Sequence, residues 1–203
     1  MECPTPRSFI LRTKRMYSMI FNKHVNLEHD HAFLSPSQWH WLNYDDARFD
    51  DRFRTKQAAE MGTRLHEFAA EAIRLGIKLP KNGSTLSTYV NDGIGFGMNP
   101  EQILYYSDNC FGTADTVSFK ANKLRIHDLK TGRVPASHNQ LLIYAAIFCL
   151  EYNFDPSTIR IETRIYQSDD VRIKRPTPEE ITSIMAKIVY FDERLQNLRK
   201  QDG

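Results

Sequence analysis

Gly112-Thr113-Ala114-Asp115-Thr116-Val117-Ser118-Phe119 and Leu124-Arg125-Ile126-His127-Asp128-Leu129-Lys130-Thr131-Gly132 decide the fold. From Thr113 to Phe119 and from Leu124 to Lys130 the side chains alternate in character, the period of half-buried strands. Lys120-Ala121-Asn122-Lys123 between them predicts a hairpin. With Ala121-Asn122 as its two-residue loop, equal counting along both strands sets Asp115 opposite Asp128. Like charges facing each other destabilise a strand pair. A cation between them removes the conflict, and oxygen ligands suit Mg²⁺ or Mn²⁺.

Alternation puts Lys130 on the face of Asp128, while Leu129 points to the core and offers its backbone carbonyl as a further metal ligand. Two carboxylates and one lysine on one face are what metal-dependent phosphodiester hydrolysis needs, which makes Asp115, Asp128 and Lys130 the expected catalytic residues. Alone, an Asp-x-Lys on a strand is usually a surface ion pair. Here it occurs together with a Gly-x-x-Asp strand, a hairpin-length gap, and Gln140 and Tyr144 one helical turn apart on one face.

Upstream, Leu65, Phe68, Ala69, Ala72 and Ile73 form a helical apolar stripe with His66 at its border. Glu67 and Glu71 fall on the polar side, Glu71 being a weaker candidate for a second metal. The element order reads as helix, three strands (the first over 102–107), helix 137–152, strand 159–166 and a last helix to about Lys200. Thr177-Pro178-Glu179-Glu180 is a capping box that opens the last helix. The expected fold class is therefore α/β, a mixed central sheet flanked by helices.

The pattern over 61–144, extending to 34–167, resembles the PD-(D/E)XK nucleases and within them the RecB-like exonucleases, including CRISPR-associated and phage-encoded members. The resemblance implies a restriction-endonuclease-like core. It implies that His66, in Gly62-Thr63-Arg64-Leu65-His66-Glu67, is a metal ligand beside Asp115, Asp128 and the Leu129 carbonyl. It matches Gln140 and Tyr144 to a Gln-x-x-x-Tyr signature that contacts nucleic acid or orients Lys130. The implied activity is a metal-dependent DNA exonuclease with Mg²⁺ or Mn²⁺, in phage or mobile-element recombination, replication or processing. Alternatives are a structure- or site-specific endonuclease and a catalytically silent DNA-binding accessory protein. Implied partners are DNA, a second copy of the chain, and phage recombination or replication proteins.

Cys3, Cys110 and Cys149 are too few for the four-thiolate iron–sulfur cluster of some relatives, so no cluster is expected. Lys130-Thr131-Gly132 also occurs in serine acyl-enzymes, but these need a Ser-x-x-Lys that the chain lacks. Gly93-Ile94-Gly95-Phe96-Gly97 has no following Gly-Lys-Ser/Thr and reads as part of a glycine-weakened helix with Leu86, Tyr89, Val90 and Ile94.

At 203 residues and 41% hydrophobic, one domain over 1–203 is expected: an extension 1–33, a core 34–167 and a C-terminal helix 177–200. No apolar run approaches membrane-spanning length, and Met1 to Arg7 lacks the order of a signal peptide. Three scattered cysteines with no disulfide framework fit a reducing cytoplasm, that of the host if the chain is phage-encoded. A net charge of +2 is compatible with nucleic acid without demanding it. Basic groups fall at Arg7, Arg12, Lys14 and Arg15, and at Arg172, Lys174 and Arg175, the latter read as a solvated loop. His24, His29 and His31 lack clear ligand spacing and read as a surface loop. Ser35-Pro36 starts a short helix bearing Trp39 and Trp41.

Overall fold

The computed structural model describes residues 32–201. The N-terminal basic group, Cys3 and the three early histidines lie outside these residues. The chain divides into two compact units, Met1–Phe49 and Asp50–Gly203.

In the first unit, Pro36–Asn43 is a 3-10 segment instead of an α-helix, interrupted by non-helical angles at Gln38. Ser35 spends its hydroxyl on Ser37 (2.8 Å), so it does not cap the segment, while its carbonyl accepts from Trp41 Nε1 at 3.2 Å. Trp39 stacks on His40.

Helix α1, Asp46–Leu75, takes in the whole polar stretch from 46 to 60 that precedes the His66 segment. Asp45 caps it by accepting the Arg48 N–H at 2.8 Å, and no Gly or Pro interrupts it before Gly62. Burial begins only at Gly62. Ala69, Ala72 and Ile73 of the expected stripe are buried, but Phe68 faces outward.

Five strands form one sheet in the order β1-β2-β3-β4-β5: β1 Asn99–Ser107, β2 Cys110–Lys120, β3 Lys123–Leu129, β4 Arg160–Gln167 and β5 Asp170–Lys174. All neighbours are antiparallel except β3 and β4. That parallel pair is joined through α3, Asn139–Glu151, as parallel strands require a crossover. The remaining helices are α2, Thr85–Phe96, and α4, Pro178–Gln201. This is an α/β fold with a mixed sheet flanked by helices, compatible with a restriction-endonuclease-like core.

Alternation along the strands builds two hydrophobic layers. Leu124 and Ile126 of β3 and Ile161 and Ile165 of β4 pack with Leu141, Ala145 and Phe148 of α3 and Ile181 of α4. On the opposite face, Leu129 and Tyr166 pack with Ala69, Ala72 and Ile73 of α1 and with Tyr89 and Val90 of α2. Among the described residues no helix is long and apolar enough to cross a membrane.

The capping box at Thr177 forms in both directions: Glu180 N–H donates to Thr177 Oγ1 at 3.3 Å, and Thr177 N–H to Glu180 Oε2 at 3.0 Å. Two further expectations need correction. Strand β1 starts at Asn99, because an edge strand tolerates Pro100, which donates no ladder bond. The loop expected around Arg172 and Lys174 is strand β5, turned back from β4 through Ser168 and Asp169, both at positive φ. Its cations are engaged: Arg172 donates to Gln167 Oε1 (3.1 Å) and Lys174 pairs with Glu180 (2.8 Å), while Arg175 just beyond it pairs with Glu162 (2.9 Å).

The glycines of helix α2 and its cap differ in what they do. Gly97 ends it in the left-handed region at φ 59°, its N–H donating to Ile94 O, while Met98 N–H donates to Gly93 O at 2.9 Å. Gly93 lets α2 approach α1, since a Cβ there would lie 2.7 Å from Ile73 Cδ1. Gly95 faces open space. Gly93→Val is therefore expected to destabilise by about 1–3 kcal/mol through overpacking. Gly95→Ala should instead stabilise by up to about 1 kcal/mol. Urea unfolding of both variants checks the contrast, and equal shifts would refute it.

Candidate active site

Ala121 (φ 49°) and Asn122 (φ 55°) form the two-residue loop that joins β2 to β3. The ladder runs from Lys120↔Lys123 to Thr116↔His127, and its next step sets Asp115 opposite Asp128. Asp128 is 3% exposed. Burial, then the charge of Asp115, pushes its carboxyl up to about 6 against the hydrogen bond from Lys130.

Lys130 emerges at the end of β3. Its Nζ donates to Asp128 Oδ1 at 2.9 Å and to Gln140 Oε1, in the first turn of α3, at 3.1 Å. One turn later the Tyr144 hydroxyl donates to Thr113 O at 2.6 Å. Its ring lies over Gly112, where a Cβ would approach the hydroxyl to 3.1 Å. Gln140 thus holds Lys130, and Tyr144 ties α3 to the strand that carries Asp115.

His66 reaches the site from α1, its Nδ1 lying 3.3 Å from Asp115 Oδ2. The same oxygen accepts the Leu129 N–H at 2.8 Å. The hydrogen bond to Asp115 raises the His66 pKa above its ordinary value, outweighing burial, and the charges of Asp115, Asp128 and Glu101 add to the effect. Asp115, Asp128, Lys130, His66, Leu129 and Gln140 are therefore gathered in one place, with Tyr144 at its margin.

Glu101 was not legible in the sequence. It sits on β1 between the Pro100↔Thr116 and Gln102↔Ala114 pairs, hence opposite Asp115, at φ 52°. Burial and then Asp115 raise its pKa. With His66, Glu67 and Glu71 it lines an open cleft of about 510 Å³, where Glu71 pairs with Arg74 at 3.4 Å. No sequence signal marks Glu101, because Pro100 and the positive φ hide the start of β1.

Beneath the site, on the other face of β3, lies a buried polar chain. Burial, with Arg164 nearby, pushes His127 down to about 3 and keeps it neutral. Its Nδ1 lies 3.2 Å from the Tyr166 hydroxyl, which donates to Asp92 Oδ2 at 2.7 Å.

Among the described residues no three His, Cys, Asp or Glu side chains already converge on one cation position. The donor chemistry nonetheless fits a hard divalent ion. Two carboxylates face each other across β2 and β3, and an imidazole lies 3.3 Å from one of them. No protein-family model matches the chain, and no curated protein matches it.

Proposed function

We propose that this chain is a metal-dependent deoxyribonuclease of the PD-(D/E)XK type, acting as an exonuclease in phage or mobile-element DNA recombination, replication or processing. The observation that carries the reading is the Asp128–Lys130–Gln140 contact set opposite Asp115, with His66 alongside. Asp115, Asp128, His66 and the Leu129 carbonyl would hold Mg²⁺ or Mn²⁺. Such an ion, when bound, polarises a phosphate and acidifies water.

The chain's own groups do the rest. Two of the three donors of the Lys130 ammonium are taken by Asp128 and Gln140, which aims the third. It meets the attacking water, or the phosphate oxygen where charge accumulates, and lowers the barrier electrostatically. Gln140 fixes the lysine rotamer, so the charge is already in place when the substrate arrives. The Leu129 N–H fixes one oxygen of Asp115, and the Tyr144 bond to Thr113 holds the strand behind it.

End-labelled linear duplex, single-stranded and closed circular DNA, incubated with Mg²⁺, Mn²⁺ or EDTA, test the proposal. Linear DNA should be lost only with metal, and circles should survive. Lys130→Met should cut roughly 10²–10³ times more slowly, as loss of a transition-state donor does. Cutting of circles would make the enzyme an endonuclease at the same site. A folded wild type that cuts nothing, or a Lys130→Met variant as fast as wild type, would defeat the proposal.

A further inference from the structure

Two recesses flank the His66 stretch of α1, and their chemistry differs. The first cleft carries three carboxylates, Glu67, Glu71 and Glu101, beside His66 and Arg74. A second, of about 260 Å³, has an apolar floor from Leu65, Leu86 and Leu129 and a rim that includes Lys130, Thr131 and Arg133. No carboxylate lines it among the described residues. It shares Lys130 with the candidate active site, so a DNA strand whose scissile phosphate lies at Lys130 has a neighbouring nucleotide at this groove.

The wall of the groove is built, not loose. The chain after Lys130 has no regular structure as far as α3, yet a buried amide pins it. Gln167 Nε2 donates to Gly132 O at 2.6 Å and Val134 O at 2.8 Å, and its Oε1 accepts the Ala136 N–H at 3.1 Å. Arg172 donates to the same oxygen, also at 3.1 Å. On the α1 side Gly62 admits the Thr131 hydroxyl, which would lie 2.9 Å from any Cβ placed there. The pinned segment turns Arg133 outward and leaves Val134 84% exposed. An apolar floor, a fixed wall and a cationic rim suit a base with its phosphate. At about 260 Å³ the groove lies at the small end of the range for ligand sites, on the scale of one base.

We infer that this groove receives one unpaired nucleotide, so the substrate is single-stranded DNA or a frayed end, not intact duplex. The position of the scissile phosphate rests on the proposed nuclease reading; the groove's affinity for single strands does not.

The test is binding of a fluorescent oligothymidylate in EDTA, where no metal-dependent turnover occurs, by wild type, Gly132→Phe and Arg133→Gln. Gly132 has an ordinary φ, and a Cβ there meets open space at the groove, so a bulky side chain obstructs it without strain. Melting profiles confirm folding, and the exposed Arg133 provides the second variant. Affinity is expected to fall at least about tenfold in each variant. Unlabelled single strand should displace the probe at much lower concentration than blunt duplex. Wild-type affinity in both folded variants, or equal competition by duplex, would overturn the inference even if the enzyme cleaves DNA. A wild type that cleaves nothing while the variants lose single-strand binding would remove the nuclease reading and leave the groove standing.

Discussion

Asp128→Asn should abolish cleavage and, in EDTA, melt several degrees above wild type. The carboxylate is buried on a strand opposite Asp115, and its pKa stands at about 6 against an ordinary 3.8. A folded pKa above the unfolded one means that the fold prefers the proton. The cost of the charge is absent below about pH 4, grows through the interval and is complete above about pH 6. The distance between the folded and unfolded values corresponds to roughly 3 kcal/mol at neutral pH. Asparagine keeps the shape and an acceptor for Lys130 but removes the charge, so the stability gap between variant and wild type widens as pH rises from 4 to 7. Mg²⁺ should then raise the melting temperature of wild type, which binds it through Asp128, and leave the variant nearly unmoved. An Asp128→Asn protein that melts below wild type in EDTA would mean that Lys130 fully compensates the carboxylate. Normal cleavage by the same variant would remove Asp128 from the mechanism.

The features that were legible in the sequence are those fixed locally. The β2–β3 hairpin follows from alternation and a two-residue loop, and with it comes the confrontation of Asp115 and Asp128. The capping box at Thr177 and the shared face of Gln140 and Tyr144 are likewise local. Long-range register was not legible. Glu101 enters the site only because β1 pairs with β2 in one frame and extends back past Pro100, beyond the strand expected over 102–107. Gln167 looks like the polar end of a strand, yet its amide organises the chain 30-odd residues upstream. Strand β5 was hidden by its charges: Arg172 and Lys174 read as part of a solvated loop, while in the structure they bond to Gln167 and Glu180.

The same concealment applies to Glu162, which reads as an ordinary polar strand residue and is only 1% exposed. Its carboxylate is shared by several cations. Lys123 Nζ lies at 2.8 Å, Arg164 donates twice to Oε1 (3.1 and 2.9 Å), Arg175 donates twice to Oε2 (3.2 and 2.9 Å), and Arg125 lies at 3.9 Å. Arg125 and Arg164 also cover the ring of Phe96, at 4.7 and 4.6 Å. Burial alone would raise this carboxyl, but the hydrogen bonds from Lys123 and Arg164 outweigh it and hold it down to about 2. With Glu162→Gln, Arg164 keeps Asp92 at 3.0 Å, while Lys123, Arg125 and Arg175 have no other acidic partner within 4 Å among the described residues. Arg175, 69% exposed, can turn to water, but Lys123, Arg125 and Arg164 are held on or between strands. Stranding buried charge in this way should cost about 3–5 kcal/mol at pH 7. A depressed folded pKa stabilises above the unfolded value and is lost as pH falls through the folded one. The wild-type advantage should therefore shrink between about pH 4.5 and pH 2, an interval over which Glu162→Gln has no charge at this position to lose. Urea unfolding at pH 7, 4 and 2.5 measures the gap. A gap under about 1 kcal/mol at pH 7, the scale of an exposed pair, would mean that the arginines reach water without Glu162 and that the cluster does not hold β3 and β4 in register.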